Sequence, residues 1–115
     1  MTRYRWLVFT NCLPGADVEF NRWYDEIHFP DLLRVPGIVG VQRSHVAESQ
    51  IVMLANGDLA PSGADHVPFR YVAIYELETE DPKAVLDEVR ARADTPAMEI
   101  SPLLADVYTA LYKNF

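Results

Sequence analysis

The chain has 115 residues, half of them hydrophobic, with 10 basic and 17 acidic side chains and a formal net charge of −7. This length supports one hydrophobic core, so a single domain over residues 1–115 is expected. The acidic balance and the lack of a basic cluster argue against nucleic acid as a partner, and no apolar run approaches the roughly 20 residues that a membrane-spanning helix needs.

Cys12 is the only cysteine, which excludes an intrachain disulfide. The opening MTRYRWLVF runs into a strand pattern without the features of a leader, so the expected location is the cytoplasm.

In chain order, Tyr4 to Cys12 alternates bulky side chains over a strand length. Pro14 and Gly15 mark a turn, and Asp17 is the expected N-cap of a helix with Glu19 in its first turn. With a helical period, Phe20, Trp23 and Ile27 form a packing stripe, while Arg22, Asp25 and Glu26 face solvent. Asn21, Tyr24 and His28 follow one edge between these faces, bringing an amide, a phenol and an imidazole to one side. Pro30 disfavours a regular helix through Phe29, placing His28 at a helix end or kink, with Asp31 to Leu33 as one further turn.

Ile38 to Val46 and Arg70 to Glu78 read as strands, the second alternating Tyr71, Ala73, Tyr75 and Leu77 against Val72 and Ile74. Between them, Ala47 to Pro68 holds a short apolar run, Ile51 to Leu54, and then turn-forming sequence with no period, so a long irregular loop is expected. Asp81 caps a second helix over Asp81 to Ala93, with Pro82 at its first position and Val85, Leu86 and Val89 at core spacing. Ala105 to Tyr112 is the last strand. The order β-α-β-β-α-β predicts an α+β, ferredoxin-like fold: a four-stranded antiparallel sheet with both helices on one face. The apolar residues on both faces of the first and third strands then call for a cover over the other face.

His28 is the side chain best suited to proton transfer near neutral pH, although a histidine at a helix end also serves simply as a cation favoured by the helix dipole. Arg43 is placed either to hold a substrate carboxylate or oxyanion or to pair with one of the acids. Tyr71 and Tyr75 offer phenol donors, and His66 ends the long loop. His28, His45 and His66 have no metal-ligand spacing, so no metal is expected. No glycine-rich phosphate loop or GxSxG elbow is present, and cofactor independence is expected. Cys12 reads as a small buried hydrophobe or, less readily, as a nucleophile.

The run FNRWYDEIHFPDLLRVPGIVGVQR, from Phe20 to Arg43 behind the Pro14-Gly15 turn, resembles the EthD-like branch of the dimeric α+β barrel superfamily, with its pattern FNxWYdxxHxxdllxvPGfxxxxR. The resemblance covers about a third of the chain in motif and all of it in element order. It implies a homodimeric α+β barrel with a small pocket between helices and sheet in each protomer. It also implies His28 as the proton-transfer residue, with Tyr24 and Asn21 beside it. Trp23, Arg43, Tyr71, Tyr75 and His66 are the candidate substrate-binding residues. Members of the superfamily act as cofactor-free monooxygenases, isomerases, cyclases, decarboxylases or haem enzymes, so the fold fixes no single chemistry. The expectation is a cofactor-independent enzyme acting on a hydrophobic substrate of aromatic, polyketide-like or lactone type. The alternative is a non-catalytic ligand-binding or accessory protein of the same fold.

Overall fold

The computed structural model describes Met1–Phe115. The alternating residues of β1 (Arg3–Cys12) make it a central strand, flanked by β5 (Tyr71–Glu78) and β6 (Leu104–Lys113), with β2 (Ile38–His45) outside β5. All these pairings are antiparallel, and the sheet order β2-β5-β1-β6 is the ferredoxin-like arrangement. Register places Trp6 opposite Tyr75 and Val8 opposite Ala73, so one face of the sheet carries Trp6, Val8, Ala73, Tyr75 and Leu77.

That face is covered by two helical layers. The first is continuous from α1 (Asp17–Trp23) through a π-helical turn (Tyr24–His28) into α2 (Phe29–Leu33). The second is α3 (Pro82–Arg92), where Asp81 caps the Ala84 N–H at 3.1 Å and Pro82 starts the helix, as its sequence predicts. Phe20, Tyr24, Leu32 and Val35 are buried from the first layer and Val85 from the second. Gly37 allows the close approach of this second layer: its φ is +99°, and a Cβ there would lie 2.6 Å from Val85 Cγ2.

Three local expectations are corrected. Asp17 is not the N-cap: Ala16 holds that position without a side-chain bond, and the Asp17 carboxylate accepts the Tyr71 hydroxyl hydrogen instead. Ile27 is 44% exposed rather than packed on the sheet, because it lies within the π turn, whose wider winding takes it out of the phase set by Phe20 and Trp23. Ala47 to Pro68 is not an irregular loop. It contains a hairpin, β3 (Ser49–Met53) with β4 (Leu59–Gly63), turned at Asn56-Gly57 with Gly57 at φ +88°. Asn11 fixes the exit of this arm, donating from Nδ2 to the Pro68 carbonyl and accepting the Arg70 N–H at Oδ1, both at 2.9 Å.

The molecule measures 45 × 38 × 17 Å, a thickness that allows one sheet with helices on one face only. The second face of the sheet is therefore open, with Leu7, Phe9, Val72, Ile74 and Tyr108 on it. No helix is long and apolar enough to cross a membrane.

Candidate functional site

The π turn decides which side chains meet the sheet. The Phe29 N–H bonds the Tyr24 carbonyl five residues back, widening the helix by one residue at the point where Pro30 has no N–H to offer. Tyr24 and His28, four residues apart, lie on the same inner surface. Tyr24 is buried, with its hydroxyl 3.0 Å from that of Tyr75 on β5, and the His28 ring meets the Tyr24 ring edge-on at 5.0 Å. Trp23 stacks on His28 with ring centroids 4.6 Å apart.

These four residues line one end of a partly open cleft of about 160 Å³ between the helices and the sheet. Its floor is Trp6, Val8 and Thr10 of β1, and its far wall includes Leu32, Val89 and Met98. On the β6 side, Val107 and Thr109 border the cleft while remaining exposed, so this flank is its mouth. No aspartate, glutamate, lysine or arginine lines it.

Burial dominates the electrostatics. Desolvation, with a smaller push from the Arg43 cation, holds His28 down at about 4 against the opposing pull of Asp31, so its imidazole is neutral at pH 7. Burial also raises the Tyr24 and Tyr75 phenols, Tyr75 far above the ordinary range, and both stay protonated donors. The site thus offers a neutral imidazole beside a pair of phenol O–H groups. His28 Nδ1 and Trp23 Nε1 are buried without a hydrogen-bond partner. Such orphaned atoms are uncommon in folded interiors and cost stability.

The remaining candidates lie elsewhere. Asn21 does not face the cleft: its Oδ1 accepts from Arg43 Nη2 at 2.8 Å, and its Nδ2 donates to the Tyr71 hydroxyl at 3.3 Å. Arg43 also binds Asp25 at 2.9 Å and lies 4.2 Å over the Tyr24 ring, clamping that ring from outside the cleft. Tyr71 ends this chain of contacts on Asp17, and the bond from Tyr71 lowers the Asp17 carboxyl. His66 is exposed after β4, within 3.4 Å of Ser62 Oγ. Cys12 is half-buried, and burial together with the nearby Asp17 carboxylate raises its thiol, which opposes thiolate formation. No group of three or more His, Cys, Asp or Glu side chains converges to hold a metal ion.

Trp6 and Met98 belong to the cleft without having been singled out from sequence. The alternation Trp6, Val8, Thr10 signalled a shared strand face, whereas Met98 sits in a turn segment with no periodic pattern.

No family model matches the sequence, and no curated protein matches it. Solved structures match in fold. A proposed monooxygenase from Shewanella loihica PV-4 is similar over 100% of this chain and 97% of its own, with TM-score 0.57 and 15% identity. The heme-degrader MhuD from Mycobacterium tuberculosis, solved with two hemes in its active site, is similar over 96% and 94%, with TM-score 0.55 and 12% identity. A dimeric ferredoxin-like protein of unknown function from Thermobifida fusca YX is similar over 98% and 92%, with TM-score 0.50 and 14% identity. At these identities the likeness extends to the fold and not to the chemistry. A cleft of about 160 Å³ has the size of a cavity that holds benzene. The chain is a ferredoxin-like α+β protein with an aromatic cleft between its helices and its sheet.

Proposed function

We propose that this protein is a cofactor-independent enzyme of the EthD-like kind, in which neutral His28 accepts a proton from a small apolar substrate held in the cleft. The observation that carries this reading is the placement of an uncharged imidazole beside the Tyr24–Tyr75 hydroxyl pair in a cleft without charged side chains. In that pair one hydroxyl donates to the other, which leaves the second hydrogen free for a substrate oxygen. As His28 removes a proton from an acidic C–H or O–H, the bond's electron pair stays on the substrate as an enolate or phenolate, stabilised by this phenol donor. Return of the proton to another atom completes an isomerisation with no oxidant or co-reactant. A base held at about 4 is weak on its own, but its depression comes chiefly from desolvation of an isolated cation. A substrate anion alongside relieves that penalty by forming an ion pair. His28→Ala with its fold intact is expected to lose turnover by roughly 100-fold or more. Unchanged turnover would sink the assignment.

A second reading is favoured by one specific observation. His28 Nδ1 has no partner to orient the ring, whereas histidine bases are commonly held by a hydrogen bond at the second nitrogen. A binding or accessory protein needs no such partner. NMR titration of His28 separates the two: the pKa of a base shifts when a neutral phenolic substrate mimic binds, and that of a bystander does not.

We further infer that a second copy covers the open sheet face, where Leu7, Phe9, Val72, Ile74 and Tyr108 form an apolar surface that a lone chain leaves in water. Light scattering at micromolar concentration is expected to give about twice the 13.1 kDa chain mass. A monomer mass would overturn this.

A further inference from the structure

The cleft's size and its charge together restrict what it accepts. A cavity of about 160 Å³ has room for roughly six to nine non-hydrogen atoms, judged against apolar cavities of about 150 Å³ that bind benzene. Its lining is aromatic at one end, with the half-buried Trp6 and Trp23 rings suiting a planar ligand and the buried Tyr24 and Tyr75 packed against them. Its polar groups are hydroxyls, the Trp23 indole N–H and one imidazole, all neutral at pH 7. The nearest cation, Arg43, is engaged by Asp25 and Asn21 and lies outside the lining. A carboxylate or phosphate entering the cleft would give up its hydration for no counter-charge.

From these observations, and resting on the proton-transfer reading of the same cleft, we infer that the ligand is a neutral single-ring aromatic bearing one hydroxyl or carbonyl oxygen, and that carboxylates and fused-ring compounds are excluded. The ring stacks among the aromatic side chains at one end. Its oxygen takes the free hydrogen of the Tyr24–Tyr75 pair. The excluded classes fail for different reasons. Benzoate fits by volume but brings an unpaired charge, which weakens it against phenol by about 100-fold or more. 1-Naphthol is neutral but needs the volume of a second ring, more than a cleft of about 160 Å³ lined by Val89 and Met98 supplies.

The test is a calorimetric titration of the full chain with phenol, p-cresol, benzoate and 1-naphthol, with His28 and Trp23 NMR signals locating the site. Phenol and p-cresol are expected to bind saturably and shift both residues' signals, while benzoate and 1-naphthol do neither at the same concentrations. Val89→Ala, which enlarges the wall without touching the proton-transfer groups, is expected to improve 1-naphthol relative to phenol by about tenfold. Benzoate binding as tightly as phenol overturns the inference, and so does 1-naphthol binding unimproved by Val89→Ala. Signal changes confined to the open sheet face would overturn it as well. Phenol binding that His28→Ala preserves, without turnover of any phenolic compound by the unaltered protein, sinks the proton-transfer reading and leaves this ligand class standing. His28-dependent turnover of a charged or fused-ring substrate does the reverse.

Discussion

The backbone N–H of Phe29 bonds the carbonyl of Tyr24, five residues back, and this one bond sets the phase of everything that follows in the first helical layer. A regular α-helix would present Pro30 to the Glu26 carbonyl with no hydrogen to give and a ring in its way. The wider turn accepts the proline and keeps both Tyr24 and His28 facing the sheet.

Pro30→Ala tests that dependence. Alanine restores an N–H able to bond Glu26 four residues back, so α-helical geometry competes with the π turn. The expected variant keeps its helical circular dichroism while losing phenol binding by about tenfold, a displacement of His28 worth roughly 1.4 kcal/mol. Unchanged binding would mean that the π turn is not what seats the histidine.

Much of the fold is legible in the amino-acid order because its signals are local. Strand alternation located β1, β5 and β6, and Asp81-Pro82 located the start of α3. The hairpin arm is hidden in the sequence because Pro61 and Gly63 interrupt the alternation of β4, although Asn56-Gly57 is a turn signal. The π turn has no one-dimensional signature, so a regular helical period puts Ile27 on the wrong face. Asn21 lies ahead of that turn, and its bond to Arg43 on β2 draws it away from Tyr24 and His28. The contact of Arg43 with Asp25 joins a strand to a helix, and spacing along the chain does not encode which of 17 acids it meets.

Stability should depend on pH through His28. Its folded pKa lies near 4, below the ordinary 6.5, so between these values the unfolded chain binds the extra proton and the folded chain does not. Unfolding free energy therefore falls as pH drops from about 6.5 to about 4 and levels off below, for this group by roughly 3–4 kcal/mol at most. Urea denaturation across this range is the measurement. His28→Gln should flatten the difference relative to the unaltered protein, and an equal slope in both would show that other groups carry it.

The Tyr24–Tyr75 hydroxyl pair should behave as a coupled unit. Tyr24→Phe leaves the Tyr75 hydroxyl buried without its partner, and Tyr75→Phe does the same to Tyr24, each costing about 1–2 kcal/mol. With both hydroxyls removed nothing is left unsatisfied, so the double variant should be less destabilised than the sum by roughly 0.5–2 kcal/mol. A double-mutant cycle in chemical denaturation measures this. Strict additivity would mean that the two hydroxyls find other partners in solution.

Gly37 sets how closely α3 approaches the sheet. At φ +99° its backbone lies where side chains are rarely found, and an added Cβ would come within 2.6 Å of Val85 Cγ2. Val85 is 95% buried in the core and has little room to withdraw. Gly37→Ala therefore combines backbone strain with overpacking, and a loss of about 2–4 kcal/mol is expected from the two together. Val85→Ala in the same background separates them: relieving the contact should recover the overpacking part and leave the strain. If Gly37→Ala melts at the temperature of the unaltered protein, α3 stands farther from the sheet in solution than this packing has it, and the far wall of the cleft moves with it.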